Sequence, residues 1–289
     1  MAFVRVDRAV KFFSREDGTE MLVLDNVSFE ARAHGITCLL GPSGCGKSTL
    51  LNVISGVEKL DRGKIQLRVP SSEFRVMDQK NPNENSELDP AMKSGSTLSK
   101  VERAETRNPR LGYVFQDPRL LNWKRVEGNL TFALKGMKIH RIEWEERLSK
   151  YLELVGLLEF RRQYPLYLSG GMRQRVGLAR ALVIEPEVLL MDEPFSKLDQ
   201  LTARKLREET VQICARLKQT TLLVTHDVEE AAYMGDRIVI LSPRPAHIVE
   251  VVGNPLAPAK RDFDDLDFIQ FKKRLLQTVL KLVDQEVRA

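Results

Sequence analysis

Residues 36–48 read ITCLLGPSGCGKS, an apolar run that leads directly into a glycine-rich loop with a lysine and a serine. The loop Gly41–Ser48 fits the pattern G-x-x-x-x-G-K-[ST], and helix-compatible sequence follows it. A strand before this pattern and a helix after it are the context in which it forms a phosphate-binding loop. A glycine-rich turn with a chance lysine rarely follows a buried strand. The stretch therefore predicts a nucleotide-binding α/β domain.

This loop supplies three kinds of group to a nucleotide. Its small residues let backbone N–H groups close around the phosphates, and Lys47 brings a mobile positive charge to the outer phosphates. Ser48 offers a hydroxyl to Mg²⁺, and Thr49 offers a further donor to the phosphates. The predicted nucleotide-binding residues of the loop are Gly41, Pro42, Ser43, Gly44, Cys45, Gly46, Lys47, Ser48 and Thr49.

A second apolar run, Val188–Met191, ends in the acidic pair Asp192 and Glu193. Such a run is typical of a strand buried on both faces of a parallel sheet, and open α/β sheets hold ligands at the carboxyl ends of their strands. Asp192 is predicted to hold Mg²⁺, directly or through water, and Glu193 to polarise the attacking water. A buried strand with an acidic end is common by itself. Together with the loop at Gly41, it becomes a strong indication of a nucleotide site that uses Mg²⁺.

A second glycine-rich turn lies far downstream, where residues 168–176 read LSGGMRQRV. Ser169 is placed to cap the following helix, and Gly170 and Gly171 leave backbone N–H groups uncovered at the positive end of that helix. This is an anion site without a lysine. It suits a phosphate that another surface already holds.

These residues resemble the signature motif of ATP-binding cassette (ABC) ATPases, in which each subunit completes the nucleotide site of its partner. The resemblance implies ATP and Mg²⁺ as ligands and a head-to-tail dimer of identical or different subunits. It implies that Gln116 touches the metal and the γ-phosphate region, and that Asp199 belongs to the loop that crosses the dimer interface. It also implies that His226 contacts the γ-phosphate. Lys197 departs from this pattern, because the family often carries alanine there.

The family also stacks an aromatic ring on adenine, and Phe12 and Phe13 lie where that ring is expected. The distance from the following strand favours Phe13. A phenylalanine of the hydrophobic core is an equally good interpretation of this residue.

The composition agrees with one large domain or two small ones. The 289 residues are enough for a sizeable core, no apolar stretch approaches the ~20 residues that span a bilayer, and no signal-peptide pattern opens the chain. The path across the membrane is therefore expected in other polypeptides. Three cysteines without metal-ligand spacing suggest a reducing cytoplasm. A net charge of +5 is weak evidence for nucleic acid, which is not expected as a partner.

Predicted strands alternate with helical patterns, which indicates a mainly parallel α/β core; the strands lie near 36–40, 111–115, 188–191, 221–225 and 237–241. The resemblance adds an N-terminal antiparallel β layer and a helical subdomain at about 117–180, within a cassette of residues 1–242. A polar stretch at about 68–110 is interpreted as an exposed, partly disordered insertion. Residues 243–289 are predicted to end in an amphipathic helix that packs on the core through Phe268, Phe271, Leu275, Leu276, Val279, Leu282 and Val283.

Two segments narrow the resemblance. Residues 115–129, FQDPRLLNWKRVEGN, and the segment Ser242–Pro245 resemble the nitrate/sulfonate/taurine branch of importers. This implies a peripheral ATPase on the cytoplasmic face of the inner membrane that powers uptake of a small solute, such as nitrate, sulfonate, taurine or a related anion. Its partners would be transmembrane permease subunits and, indirectly, a solute-binding protein. The alternatives are an exporter ATPase and a soluble ABC ATPase that acts on ribosomes or DNA.

Overall fold

The computed structural model describes residues 3–69, 72–76, 109–256 and 261–288. Its strands are β1 Phe3–Ser14, β2 Glu20–Ala31, β3 Ile36–Leu40, β4 Arg62–Val69, β5 Ser72–Val76, β6 Leu111–Val114, β7 Val188–Asp192, β8 Thr220–Thr225, β9 Arg237–Leu241 and β10 Ile248–Gly253. Its α-helices are α1 Lys47–Ser55, α2 Val126–Gly136, α3 Trp144–Leu154, α4 Gly170–Leu182, α5 Gln200–Arg216, α6 Val228–Met234 and α7 Leu266–Arg288.

The larger sheet has the strand order β10-β9-β3-β8-β7-β6. Its pairings are parallel except at the edge, where β10 runs antiparallel to β9. Every residue of β3 and of β8 is buried, as expected for strands covered on both faces. All five predicted strands are present within one residue at either end, so the predicted mainly parallel core is confirmed. Because parallel strands end at the same edge, the loops after β3, β6, β7 and β8 meet there.

The smaller sheet, of order β2-β1-β4-β5, is antiparallel and confirms the predicted N-terminal layer. Its inner face and α1 share one hydrophobic core with one face of the larger sheet; the fully buried members include Val4, Leu24, Leu50, Leu51 and Leu190. The predicted insertion begins within this sheet, because β4 continues to Val69 and β5 pairs with it. Of the predicted insertion at about 68–110, residues 70–71 and 77–108 lie outside the described residues.

Between β6 and β7 the chain forms a helical layer of α2, α3 and α4, at the place predicted for the helical subdomain. The helices bury leucines and a valine against one another and against the larger sheet, among them Leu130, Leu134, Leu148, Leu152 and Val176. Among the residues that the structure describes, no helix is both long enough and apolar enough to cross a membrane.

The C-terminal helix α7 packs on α6 and on the hydrophobic core that the larger sheet shares with the helical layer, as predicted. Phe268, Phe271 and Leu275 are buried in that core. Leu276 was assigned to the same face, and this is wrong, because its side chain is 43 % exposed. One residue along an α-helix turns about 100°, so the neighbour of a buried Leu275 leaves the contact face. The side chain of Val283 lies outside the described residues.

Replacement of Phe268 by alanine should lower the free energy of unfolding by about 3–5 kcal/mol, since a fully buried ring is removed and its cavity is only partly refilled. Urea unfolding followed by circular dichroism measures this change. The matched control on the same helix is Leu280→Ala, whose side chain is 51 % exposed and should cost under about 0.5 kcal/mol. Equal losses in the two variants would contradict the packing of α7.

Candidate active site

The loop Gly41–Gly46 connects β3 to α1 at the carboxyl edge of the larger sheet. Gly44 and Gly46 have φ of +76° and +122°, and a Cβ on Gly46 would lie 3.0 Å from Val23 Cγ1. Only glycine fits these two positions without strain. Helix α1 begins at Lys47 without a capping side chain at Gly46, which leaves its first N–H groups directed at the loop. The Cys45 side chain is buried beneath the loop, and burial raises the pKa of its thiol.

The ammonium group of Lys47 lies over its own loop. Its Nζ donates to the carbonyl oxygens of Gly41 at 2.9 Å and Pro42 at 2.7 Å. The same atom lies 3.8 Å from Glu193 Oε1 at the end of β7. The loop therefore holds the positive charge between the phosphate-loop backbone and the acidic pair, where the outer phosphates of a nucleotide would lie.

Ser48 and Asp192 form the candidate metal site. Ser48 Oγ donates to Asp192 Oδ1 at 2.9 Å, and the Tyr113 hydroxyl lies 3.4 Å from Asp192 Oδ2. Burial raises the pKa of Asp192, although its hydrogen bond from Ser48 acts in the opposite direction. A hydroxyl and a carboxylate side by side are the oxygen ligands that Mg²⁺ prefers, so these two residues fit the metal. Tyr113 was not predicted, because a tyrosine on a short strand carries no signal for this contact.

Glu193 is the point at which four distant segments meet. Its carboxylate contacts Lys47, and Oε2 lies 3.0 Å from His226 Nδ1 and 3.4 Å from Gln116 Nε2. The Glu193 backbone has φ +44°, a left-handed conformation that is rare for a residue other than glycine. Its N–H donates to Val224 O at 2.9 Å, which holds the residue against β8. Backbone strain of this kind is concentrated at functional sites.

The structure thus brings Gln116 and His226 to the Glu193 carboxylate, while their contacts with a nucleotide stay predictions. Gln116 Nε2 also donates to Ser196 Oγ at 3.0 Å. Its contacts are therefore with Glu193 and Ser196, beside the candidate metal pair of Ser48 and Asp192. The predicted metal-binding role of Gln116 stays a prediction.

The downstream glycine-rich turn opens α4 with the predicted cap. Ser169 Oγ accepts from the Met172 N–H at 3.2 Å. A Cβ on Gly171 would lie 2.7 Å from Thr202 Cγ2, so α4 approaches the start of α5 as closely as a glycine allows. Asp199 caps α5, because its carboxylate accepts a hydrogen bond from the Thr202 N–H. This hydrogen bond lowers the pKa of Asp199. Two helix N-termini therefore lie side by side at this surface.

Phe13 lies half-buried near the end of β1, opposite Met21 on β2. Its ring packs at the margin of the core between the two sheets, and Lys11 Nζ lies 5.0 Å from the ring centre. One face in the core and part of the ring exposed agree with both interpretations of this residue. Its contact with adenine stays a prediction.

Next to His226 along the chain lies an ion cluster around the buried Arg207, which sequence reasoning missed. Arg207 of α5 contacts three acidic residues around the start of α6: Asp227 at 2.5 Å, Glu230 at 3.4 Å and Glu229 at 3.6 Å. Burial raises the pKa of Glu230 to about 8, against the opposing effect of Arg207. Asp227 also caps α6 through the N–H groups of Glu229 and Glu230. The cluster fixes the helix that follows His226.

The fold and the site together define a P-loop nucleotide-binding domain in which a second glycine-rich turn opens α4. The family model described as ABC transporter matches residues 24–196. The chain is 39% identical over 246 residues to the taurine import ATP-binding protein TauB of Rhizobium johnstonii, with 85% of this chain and 82% of TauB covered. It is 34% identical over 276 residues to the aliphatic sulfonates import ATP-binding protein SsuB of Bacillus cereus, with 95% and 94% covered.

A solved structure of the ATP-binding cassette MJ0796, dimeric and bound to ADP and Pi in a post-hydrolysis state, superposes with a TM-score of 0.66. It is 25% identical, and the match covers 88% of this chain and all of that one (100%). The chain belongs to the ABC transporter family. It is a nucleotide-binding ATPase of that family.

The raised pKa of Glu230 has a consequence for stability. In the unfolded chain this group ionises near its ordinary pKa of 4.5, whereas in the folded chain burial raises its pKa to about 8. The folded state therefore binds more protons between these values, and this group costs stability as pH rises through that window. Glu230→Gln removes the cost.

We expect the stability of Glu230→Gln relative to the wild type to increase from pH 5.5 to pH 8, about the window between the two pKa values. Urea unfolding at several pH values measures the difference, and Glu159→Gln, at an exposed position, is the control that should show no such trend. A pH-independent difference for Glu230→Gln would contradict a protonated Glu230.

Proposed function

We propose that this chain is the ATP-hydrolysing subunit of an importer that takes up a small anionic solute of the sulfonate or taurine type. The observation that carries the catalytic part is the convergence of Lys47, Gln116 and His226 on the Glu193 carboxylate. The import part is supported by TauB and SsuB, which are named as import proteins; the match covers 82% of TauB and 94% of SsuB.

The proposed nucleotide site follows the loop. Residues Gly41–Thr49 hold the phosphates through backbone N–H groups, and Lys47 pairs with the outer phosphates. Phe13 stacks on the adenine from the end of β1. Ser48 and Asp192 would hold Mg²⁺, with Gln116 beside them, and the metal would supply positive charge to the phosphates.

Glu193 is proposed as the general base. A carboxylate at the end of β7 can accept the proton of a water molecule that attacks the γ-phosphate. His226 Nδ1 lies 3.0 Å from one carboxylate oxygen and so fixes the direction of the carboxylate. The left-handed backbone of Glu193 adds to this, since it turns the side chain away from the strand direction towards Lys47.

The site is completed by a second copy or a related subunit. We propose that the Ser169–Gly171 turn of one subunit presents its helix N-terminus to the γ-phosphate held by the other. Asp199 lies beside that turn and faces the same interface. ATP then joins the subunits, and loss of the γ-phosphate removes the shared anion and lets the dimer open.

The helical layer is the proposed contact with the permease subunits. The helices of this layer and the segments that connect them to each other and to β6 expose large apolar side chains, namely Trp123, Phe132, Ile142, Leu166 and Tyr167. A contiguous apolar patch on a surface marks an interaction site, and we propose that these side chains contribute to one. In this proposal the ATPase lies at the cytoplasmic face of the inner membrane, and a solute-binding protein delivers the solute to the permease.

Glu193→Gln should lower ATP hydrolysis about 100-fold or more, since proton transfer to the base is lost while the side-chain shape is kept. ATP binding should persist, and the variant should accumulate as an ATP-bound dimer on size-exclusion chromatography with light scattering. Glu159→Gln, at an exposed position in the helical layer, should behave as the wild type. Wild-type turnover by Glu193→Gln would rule out the general-base role.

The import proposal is tested by extraction of the tagged Glu193→Gln protein in mild detergent with ATP. Mass spectrometry of the co-purified proteins should identify a multi-spanning permease and a solute-binding protein. The solute-binding protein can then be titrated with taurine and with alkyl sulfonates. Recovery of ribosomal or DNA-repair proteins in their place would overturn the transport proposal while leaving the ATPase intact.

A further inference from the structure

Arg244, in the segment after β9, makes a forked contact with the phosphate loop. Its Nε and Nη2 donate to the carbonyl oxygen of Gly44 at 3.1 Å and 2.5 Å. A Cβ built on Gly44 would lie 3.4 Å from Nη2, so the guanidinium lies directly on the loop. The remaining nitrogen, Nη1, lies 3.0 Å from the sulfur of Met21. Met21 is the strand partner of Phe13, so Arg244 connects the loop to the strand of the proposed adenine contact.

The segment that carries Arg244 is itself held in place. Ala246 is fully buried, its N–H donates to Val23 O at 2.9 Å, and its carbonyl oxygen accepts from the Asp25 N–H at 2.9 Å. Ser242 Oγ accepts from the His247 N–H at 3.0 Å, and Ser242 N–H donates to His247 O at 3.0 Å. Ala246, after Arg244, is therefore bonded to β2, and the hydrogen bonds between Ser242 and His247 close the turn that contains Arg244. The guanidinium is aimed at Gly44 by the fold.

The contact has a chemical effect on the loop. The Gly44 carbonyl belongs to the same peptide group as the Cys45 N–H, and phosphate loops bind nucleotides through their N–H groups. A charged donor on the carbonyl oxygen fixes the plane of that peptide and strengthens its N–H as a donor. The planar fork of arginine can make both bonds to one oxygen, whereas the ammonium of lysine makes a single point contact.

We infer that Arg244 is a positioning residue that holds the Gly44 peptide of the phosphate loop in its nucleotide-binding orientation and thereby sets the affinity for ADP and ATP alike. The inference rests on the proposed nucleotide site at Gly41–Thr49. Gly44 precedes the residues assigned to the γ-phosphate and the attacking water. The loss of Arg244 therefore acts on binding and leaves the chemical step at saturating ATP close to that of the wild type.

The test uses the full chain and measures Mg–ADP binding by isothermal titration calorimetry, with ATP hydrolysis assayed in parallel. Arg244→Ala should weaken ADP binding about tenfold, the scale of one charge-assisted hydrogen bond, and should raise KM for ATP by a similar factor. Arg244→Lys should fall between this variant and the wild type. The matched control is Arg237→Ala, since Arg237 also donates to a backbone carbonyl, that of Glu30 at 3.3 Å, from the opposite end of β9.

Thermal unfolding of each variant separates a local effect from a loss of fold, and Arg244→Lys carries the test if the alanine variant does not fold. ADP affinity unchanged in the folded Arg244 variants would overturn the inference. So would an equal loss in Arg237→Ala, or a fall in kcat at unchanged KM. Lys47→Ala, which should bind neither nucleotide tightly, tests the site itself. Failure of the wild type to bind ADP or ATP would reject the proposed function and is thus distinct from failure of Arg244 alone.

Discussion

In the larger sheet Leu40 is paired with Thr225, and Asp192 is paired with Val224. This parallel register places the phosphate loop, the acidic pair and His226 at one level as the chain leaves β3, β7 and β8. A shift of one residue along any of these strands would turn its side chains to the opposite face. Because both faces of these strands are close-packed, such a shift would mismatch the side chains that pack against them. The chemistry of the site therefore depends on the packing of apolar residues that never touch a nucleotide.

The strained backbone of Glu193 also depends on this arrangement of strands. A left-handed glutamate is held only because its N–H is bonded to β8 and its carboxylate meets Lys47 and His226. His226 in turn precedes α6, whose start is fixed by Arg207 and whose outer side is covered by α7. The C-terminal helix thus supports the active site from a distance, since the salt bridge of Lys272 to Glu229 at 2.8 Å joins it to the same ion cluster.

Sequence reasoning succeeded where local chemistry and order along the chain carry the signal. The loop at Gly41, the acidic pair, Gln116 and His226 each follow a predicted strand, so a parallel sheet necessarily gathers them. It failed where a contact depends on tertiary geometry. The Arg207 cluster joins α5 to α6 with charges that look solvated in the sequence, and Arg244 reaches the loop from 200 residues away along the chain. Leu276 was misplaced because its hydrophobicity resembles that of Leu275 and only the helix phase separates the two.

Two contacts tie the start of the helical layer to the loop that precedes α5. Gln116 donates to Ser196, and Asp117 lies 3.5 Å from Lys197. Thermodynamic linkage between two binding sites is reciprocal. If a nucleotide at Glu193 changes the free energy with which the helical layer binds another protein, that protein must change the nucleotide affinity by the same factor. Lys197, the residue that departs from the usual family sequence, makes one of the two contacts that join these segments.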